Sequence, residues 1–97
     1  MNVAVMGYGT VGSGVVEVLD KHADGFAVKA GEAIEVRYIL DLRDFPGDPH
    51  ADKFIKDFQV ILNDPEVRIV VETMGGLRPA YDFVKSCLQA GKSVVTS

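Results

Sequence analysis

Three glycines at the spacing G-x-G-x-x-G, Gly7, Gly9 and Gly12, follow a short apolar run from Val3 to Met6. Apolar residues then resume at helical spacing as Val15, Val18 and Leu19, so the order is strand, glycine turn, helix. Each glycine has a separate task in such a unit. Gly7 permits the tight turn, Gly9 lets the backbone approach a pyrophosphate, and Gly12 allows close packing of helix on strand. A helix opening near Thr10 turns its unpaired N–H groups and the positive end of its dipole toward the same phosphates. The chemistry implied is dinucleotide binding.

Two further groups belong to the same chemistry. Ile34 to Asp41, I-E-V-R-Y-I-L-D, reads as a second strand that ends in an acid. An acid at that position accepts hydrogen bonds from ribose hydroxyls, whereas a nearby arginine favours a 2′-phosphate. The chain offers both, Asp41 and Arg43, and the reading leans toward NAD over NADP because Asp41 comes first after the apolar strand. Asp41 lies 29 positions after Gly12, against the usual ~20, and the segment Ala23 to Ala33 absorbs the excess. The second group is Met74-Gly75-Gly76, a glycine turn closing the apolar run Val67 to Thr73, at the strand end where open α/β sheets bind ligands.

The elements that must hold these residues can be placed in order. Helix Thr10 to His22 is expected to bury Val11, Val15, Val18 and Leu19 and to leave Glu17, Asp20 and Lys21 in water. Ala23 to Ala33 reads as a long, mobile loop, and Phe45-Pro46-Gly47-Asp48-Pro49 as a turn that no regular element crosses. Lys53 to Lys56 suits a short edge strand, and Asp57 can cap a brief helix from Phe58 to Leu62. Asn63 to Glu66 is another turn. A last helix is expected from Pro79 to a stop at Gly91, with Ala80, Phe83, Val84, Cys87 and Leu88 on its inner face, before a strand from Lys92 to Ser97. Alternating strands and helices imply a Rossmann-type, doubly wound parallel sheet in three layers, α/β/α, ordered 3-2-1-4-5 with the third strand short or absent.

Bulk properties bound the alternatives. Ninety-seven residues make one domain, 1–97, and 47% hydrophobic with 25% charged residues is an ordinary globular mixture. A net charge of −4 with scattered basic residues argues against nucleic acid as a partner. The single cysteine, Cys87, forms no internal disulfide and falls on an apolar helix face, which marks a packed thiol in a reducing compartment, the cytoplasm. His22 and His50 stand without companions and read as surface residues, so no metal site is expected. No apolar run approaches the length of a membrane span or a secretory signal.

On these residues the chain resembles the N-terminal nucleotide-binding domain of the homoserine dehydrogenase family. The matching pieces are Gly7 to Val16, Asn63 to Val67, Val70 to Gly76 and Ala90 to Ser97. The resemblance implies an NAD(P)-dependent oxidoreductase that interconverts L-homoserine and L-aspartate 4-semialdehyde by hydride transfer, on the branch leading to threonine and methionine, within a homo-oligomeric parent. It places Tyr8, Gly9, Thr10 and Val11 at the pyrophosphate, Gly75 and Gly76 beside the cofactor, and Thr96 and Ser97 toward the nicotinamide. The resemblance implies catalytic residues beyond Ser97, and because the last strand stops as it reaches the ligand edge, the 97 residues read as a piece of a longer enzyme, inactive alone. Two alternatives share the glycine motif: a related oxidoreductase, such as an aspartate dehydrogenase or a dihydrodipicolinate reductase relative, and a dinucleotide-sensing module without chemistry.

Overall fold

Val3, Ala4, Val5 and Met6 are the most thoroughly buried run among the described residues, none more than 3% exposed. Apolar residues with no polar alternation belong in a strand covered on both faces. In the computed structural model they form β1 (Asn2–Met6), the centre of the sheet. The structure describes residues 1–21, 34–75 and 78–97. The expected loop from Ala23 to Ala33, His22 and Gly76 lie outside the described residues.

The elements follow as α1 (Thr10–Lys21), β2 (Glu35–Leu40), a 3₁₀ turn (Ala51–Lys53), β3 (Phe54–Ile55), α2 (Phe58–Leu62), β4 (Val67–Glu72), α3 (Arg78–Gln89) and β5 (Ser93–Thr96). All strand pairs are parallel and the order is β3-β2-β1-β4-β5, as expected. One face of the sheet carries Val5, Val36 and Ile39 against Val16 of α1. The other carries Ala4, Met6, Leu40, Val67 and Val70 against Phe58 and Ile61 of α2 and Cys87 of α3. Helices therefore cover both faces, which makes the three layers of a doubly wound fold.

Caps fix the helix ends. Asp57 accepts the Gln59 N–H at 2.9 Å and starts α2. At the end of α3, Gly91 takes φ +83° while the Lys92 N–H donates to Cys87 O and the Gly91 N–H to Leu88 O, a Schellman stop. Cys87 is wholly buried, and burial pushes its thiol pKa up, so the structure makes it a packing residue.

Two helix faces differ from expectation. Val11 and Val18 point outward, 55% and 52% exposed, and the buried stripe of α1 runs through Gly12 and Val16, flanked by Val15 and Leu19. The cause is Gly12. A Cβ there would lie 1.9 Å from Gly7 O, so the helix seats its glycine, not its valines, against the turn, and that contact sets its rotation. Leu88 is likewise outward at 56% exposure, since it falls roughly 90° around α3 from the centre of the stripe made by Ala80, Phe83, Val84 and Cys87. His50 is half-buried instead of exposed, its N–H held by Asp48.

Candidate functional site at the carboxyl edge of the sheet

Register decides which residues share an edge. Met6 pairs with Leu40 on one side and with Glu72 on the other, Leu40 with Ile55, and Glu72 with Thr96. The residues that follow these positions, Gly7, Asp41, Lys56, Thr73 and Ser97, are therefore brought to one edge, where a parallel sheet presents its ligand sites.

Gly7 begins the turn at φ +100°, a backbone setting that side-chain-bearing residues avoid. Its N–H donates to Leu40 O at 2.8 Å, so the turn grows directly out of the β1–β2 ladder. From the β4 side, the Thr73 N–H donates to Met6 O, and the Thr73 hydroxyl lies 3.0 Å from both Met6 O and Gly7 O. Gly9 differs from its neighbours: a Cβ built there meets nothing within 4 Å, so its lack of a side chain serves no contact inside the protein. The first helical bond runs from the Ser13 N–H to Gly9 O, which leaves the N–H groups of Thr10, Val11 and Gly12 without helical acceptors. Thr10 and Val11 are exposed at this end and Gly12 is buried beneath them.

Asp41 is a hydrogen-bonding hub at the end of β2. One carboxylate oxygen accepts the Tyr8 N–H at 2.9 Å and Arg43 Nη2 at 2.9 Å. The other accepts the Arg43 N–H at 2.9 Å and Arg43 Nε at 3.0 Å. The fork of Arg43 hydrogen bonds holds the Asp41 carboxyl down at about 2, against the opposing push of burial. The two residues that the sequence sets against each other as rival selectors are thus a bidentate ion pair, with Asp41 9% and Arg43 64% exposed in their side chains.

Tyr8 lies inward. Its ring meets Phe45 and Phe54 edge-on at 5.0 and 4.8 Å, and its hydroxyl donates to Asp48 at 2.9 Å. On the β4 side the Met74 N–H donates to the buried Glu72 carboxylate, and Gly75 turns the chain at φ +78° with open space around it.

A cavity of about 460 Å³ opens at this edge, lined by Gly7, Tyr8, Gly9, Asp41, Arg43 and Met74 among the residues expected from the sequence. That is enough space for a small-molecule site. Thr10, Val11, Gly12, Gly75, Thr96 and Ser97 lie at the same edge but are not part of this lining. Thr96 pairs with Glu72, and the Ser97 N–H donates to Glu72 O at 3.0 Å, next to the second glycine turn.

The sequence reading missed Leu42, Lys56, Thr73, Pro79 and Phe83, which complete the lining with Leu40. One signal was available: Leu42, 79% exposed, directly follows the acid. Lys56, ion-paired with Asp44 at 2.7 Å, reaches the cavity only because β3 pairs with β2, a contact no local pattern announces. Among the described residues no helix is long and apolar enough to cross a membrane, and no group of three or more His, Cys, Asp or Glu could hold a metal ion.

Comparison with known proteins agrees with this geometry. The model of the homoserine dehydrogenase NAD-binding domain matches residues 7–97. Homoserine dehydrogenase of Pseudomonas aeruginosa is 37% identical over the whole of this chain, which covers 23% of that protein. The crystal structure of Staphylococcus aureus homoserine dehydrogenase at pH 7.0 superposes with a TM-score of 0.88 at 32% identity, covering 100% of this chain and 26% of that one. That of Thiobacillus denitrificans gives 0.83 at 33% identity, covering 99% and 23%. The chain thus spans about a quarter of the length of these relatives. By sequence, fold and the residues gathered at its carboxyl edge, it belongs to the family of homoserine dehydrogenase NAD-binding domains.

Proposed function

We propose that this chain binds NAD(P) across the carboxyl ends of β1, β2 and β4, as the cofactor-binding part of an enzyme that interconverts L-homoserine and L-aspartate 4-semialdehyde. The observation that carries the binding reading is Gly9, exposed, with no protein atom within 4 Å of a would-be Cβ, at the mouth of the cavity. A glycine left open at a cavity mouth, in second place in the G-x-G-x-x-G turn, suits the close approach of a ligand to its backbone. In this assignment Gly7, Tyr8, Gly9, Thr10, Val11 and Gly12 form the pyrophosphate loop, with the first-turn N–H groups of α1 as donors. Asp41 and Arg43 face the adenosine ribose. Met74, Gly75 and Gly76 flank the nicotinamide half, and Thr96 and Ser97 stand toward its ring. The bound cofactor supplies hydride transfer, while the protein supplies orientation and electrostatics.

NAD is favoured over NADP because the Asp41 carboxylate is ionised and sits at the end of β2, where it repels a 2′-phosphate, while Arg43 is already engaged by Asp41. Catalytic groups are placed beyond Ser97, in a cytoplasmic, homo-oligomeric parent. The test is turnover by the full-length enzyme followed through nicotinamide absorbance. Oxidation of L-homoserine is expected, and oxidation of L-aspartate in its place would give the reading to an aspartate dehydrogenase. The 97 residues alone are expected to bind cofactor weakly without turnover, and homoserine oxidation by them would contradict the placement of catalysis elsewhere.

A further inference from the structure

The three glycines of a G-x-G-x-x-G turn each have a task in dinucleotide binding, and the side chain between the first two has none assigned. Here it is tied down. The Tyr8 ring is fixed between Phe45 and Phe54, which themselves stack at 5.0 Å, and its hydroxyl donates to Asp48 Oδ2 at 2.9 Å across 40 residues of sequence. Asp48 is no loose acceptor. Its Oδ1 accepts the His50 N–H at 2.8 Å, its own N–H donates to Phe45 O at 3.2 Å, and its carbonyl accepts the Ala51 N–H at 3.0 Å, in a turn whose Gly47 takes φ +78°. Tyr8 is therefore held at both ends, by Asp41 through its N–H and by Asp48 through its hydroxyl. Burial, with the Asp48 carboxylate, pushes the phenol up to about 12, so the hydroxyl keeps its proton at working pH.

We propose that Asp48 is a positioning residue for the dinucleotide: through Tyr8 it fixes the glycine turn so that the backbone of Gly9, Thr10 and Val11 meets the pyrophosphate preformed. The inference rests on the cofactor reading above. The rest of the fold is anchored elsewhere, by strand register and by the seat of Gly12, so releasing the Tyr8 hydroxyl loosens the turn without dissolving the sheet. A turn that must be ordered on binding spends part of its binding energy on that ordering.

The experiment is a calorimetric titration of NAD into the parent chain, Tyr8→Phe, Asp48→Ala, the double variant and Asp48→Asn, with thermal melts alongside. Each of the first two variants is expected to weaken NAD by about fivefold while melting within a few degrees of the parent. The double variant should be no weaker than Asp48→Ala alone, in which the bond to the Tyr8 hydroxyl is already gone. Asp48→Asn should recover most of the affinity, its oxygen keeping the His50 N–H and its amide donating to the Tyr8 oxygen. Should Asp48→Ala fail to fold, a weakened but normally melting Tyr8→Phe with a parent-like Asp48→Asn supports the assignment on its own. Parent affinity in Tyr8→Phe, or losses that multiply in the double variant, would overturn the role of Asp48 and leave the cofactor site standing. A parent that binds no NAD would overturn both.

Discussion

Replacing Asp41 by serine should switch cofactor preference, and the size of the switch follows from the geometry. The carboxylate receives four donors, the Tyr8 N–H and three from Arg43, and its side chain is only 9% exposed. A 2′-phosphate on a ribose seated at this acid would come within roughly 4 to 5 Å of it. At an effective dielectric between protein edge and water, that repulsion is worth about 1 to 3 kcal/mol, or about fivefold to over a hundredfold in affinity. Serine removes the repulsion and also releases the Arg43 guanidinium, 64% exposed and then free to pair with the phosphate. It gives up the hold on the Tyr8 N–H as well, but that loss weakens both cofactors alike, so the ratio of affinities is the quantity to read. The assay is a titration of parent, Asp41→Ser and Arg43→Ala with both NAD and NADP. The NADP-to-NAD affinity ratio should rise at least about tenfold in Asp41→Ser. In Arg43→Ala, where carboxylate acceptor sites become free for a ribose, NAD binding should hold or tighten. A parent that already prefers NADP and loses that preference on Arg43→Ala would refute the reasoning.

Gly9→Val should stay within ~1 kcal/mol of the parent's stability, since a Cβ there has nothing within 4 Å, yet abolish NAD binding; calorimetry showing parent affinity would contradict it. Gly12→Ala should cost about 3 kcal/mol or more, because its Cβ would stand 1.9 Å from Gly7 O, and a urea midpoint equal to the parent's would be the contrary result. Asp41 titrates at about 2 in the folded chain against its ordinary 3.8, so it contributes stability above about pH 4 that is lost as pH falls toward 2. Allowing for solvent around Arg43, that contribution is about 1 to 2 kcal/mol, and denaturation against pH should fall less steeply over this range in Asp41→Asn.

The strand order, the brief third strand, the Asp57 cap and the Gly91 stop were all legible, because each rests on a local rule: an apolar run, a capping side chain, a glycine with positive φ. What was not legible depended on contacts that residue type and spacing do not specify. The rotation of α1 is set by Gly12 against Gly7 O, which overrides the valine spacing that pointed to Val11 and Val18. Lys92, placed by the sequence only at the start of the last strand, is 7% exposed, its ammonium donating at 2.7 Å to both Asp64 O and Val67 O, where it ties the start of β5 to the turn before β4. Asp41 and Arg43 were recognised as a pair of selectors, yet that they bind each other is a matter of side-chain reach that residue types alone leave undecided.

The central claim is that a dinucleotide lies on the carboxyl edge with its pyrophosphate at the glycine turn, and backbone-resolved NMR of the chain titrated with NAD tests it most directly. The account predicts the largest amide shifts at Gly7 to Gly12, Asp41 to Arg43 and Thr73 to Gly75, with Asn2, Glu66 and Arg68 at the opposite edge unmoved. Shifts centred on that opposite edge, or none at the glycine turn at saturating NAD, would contradict it.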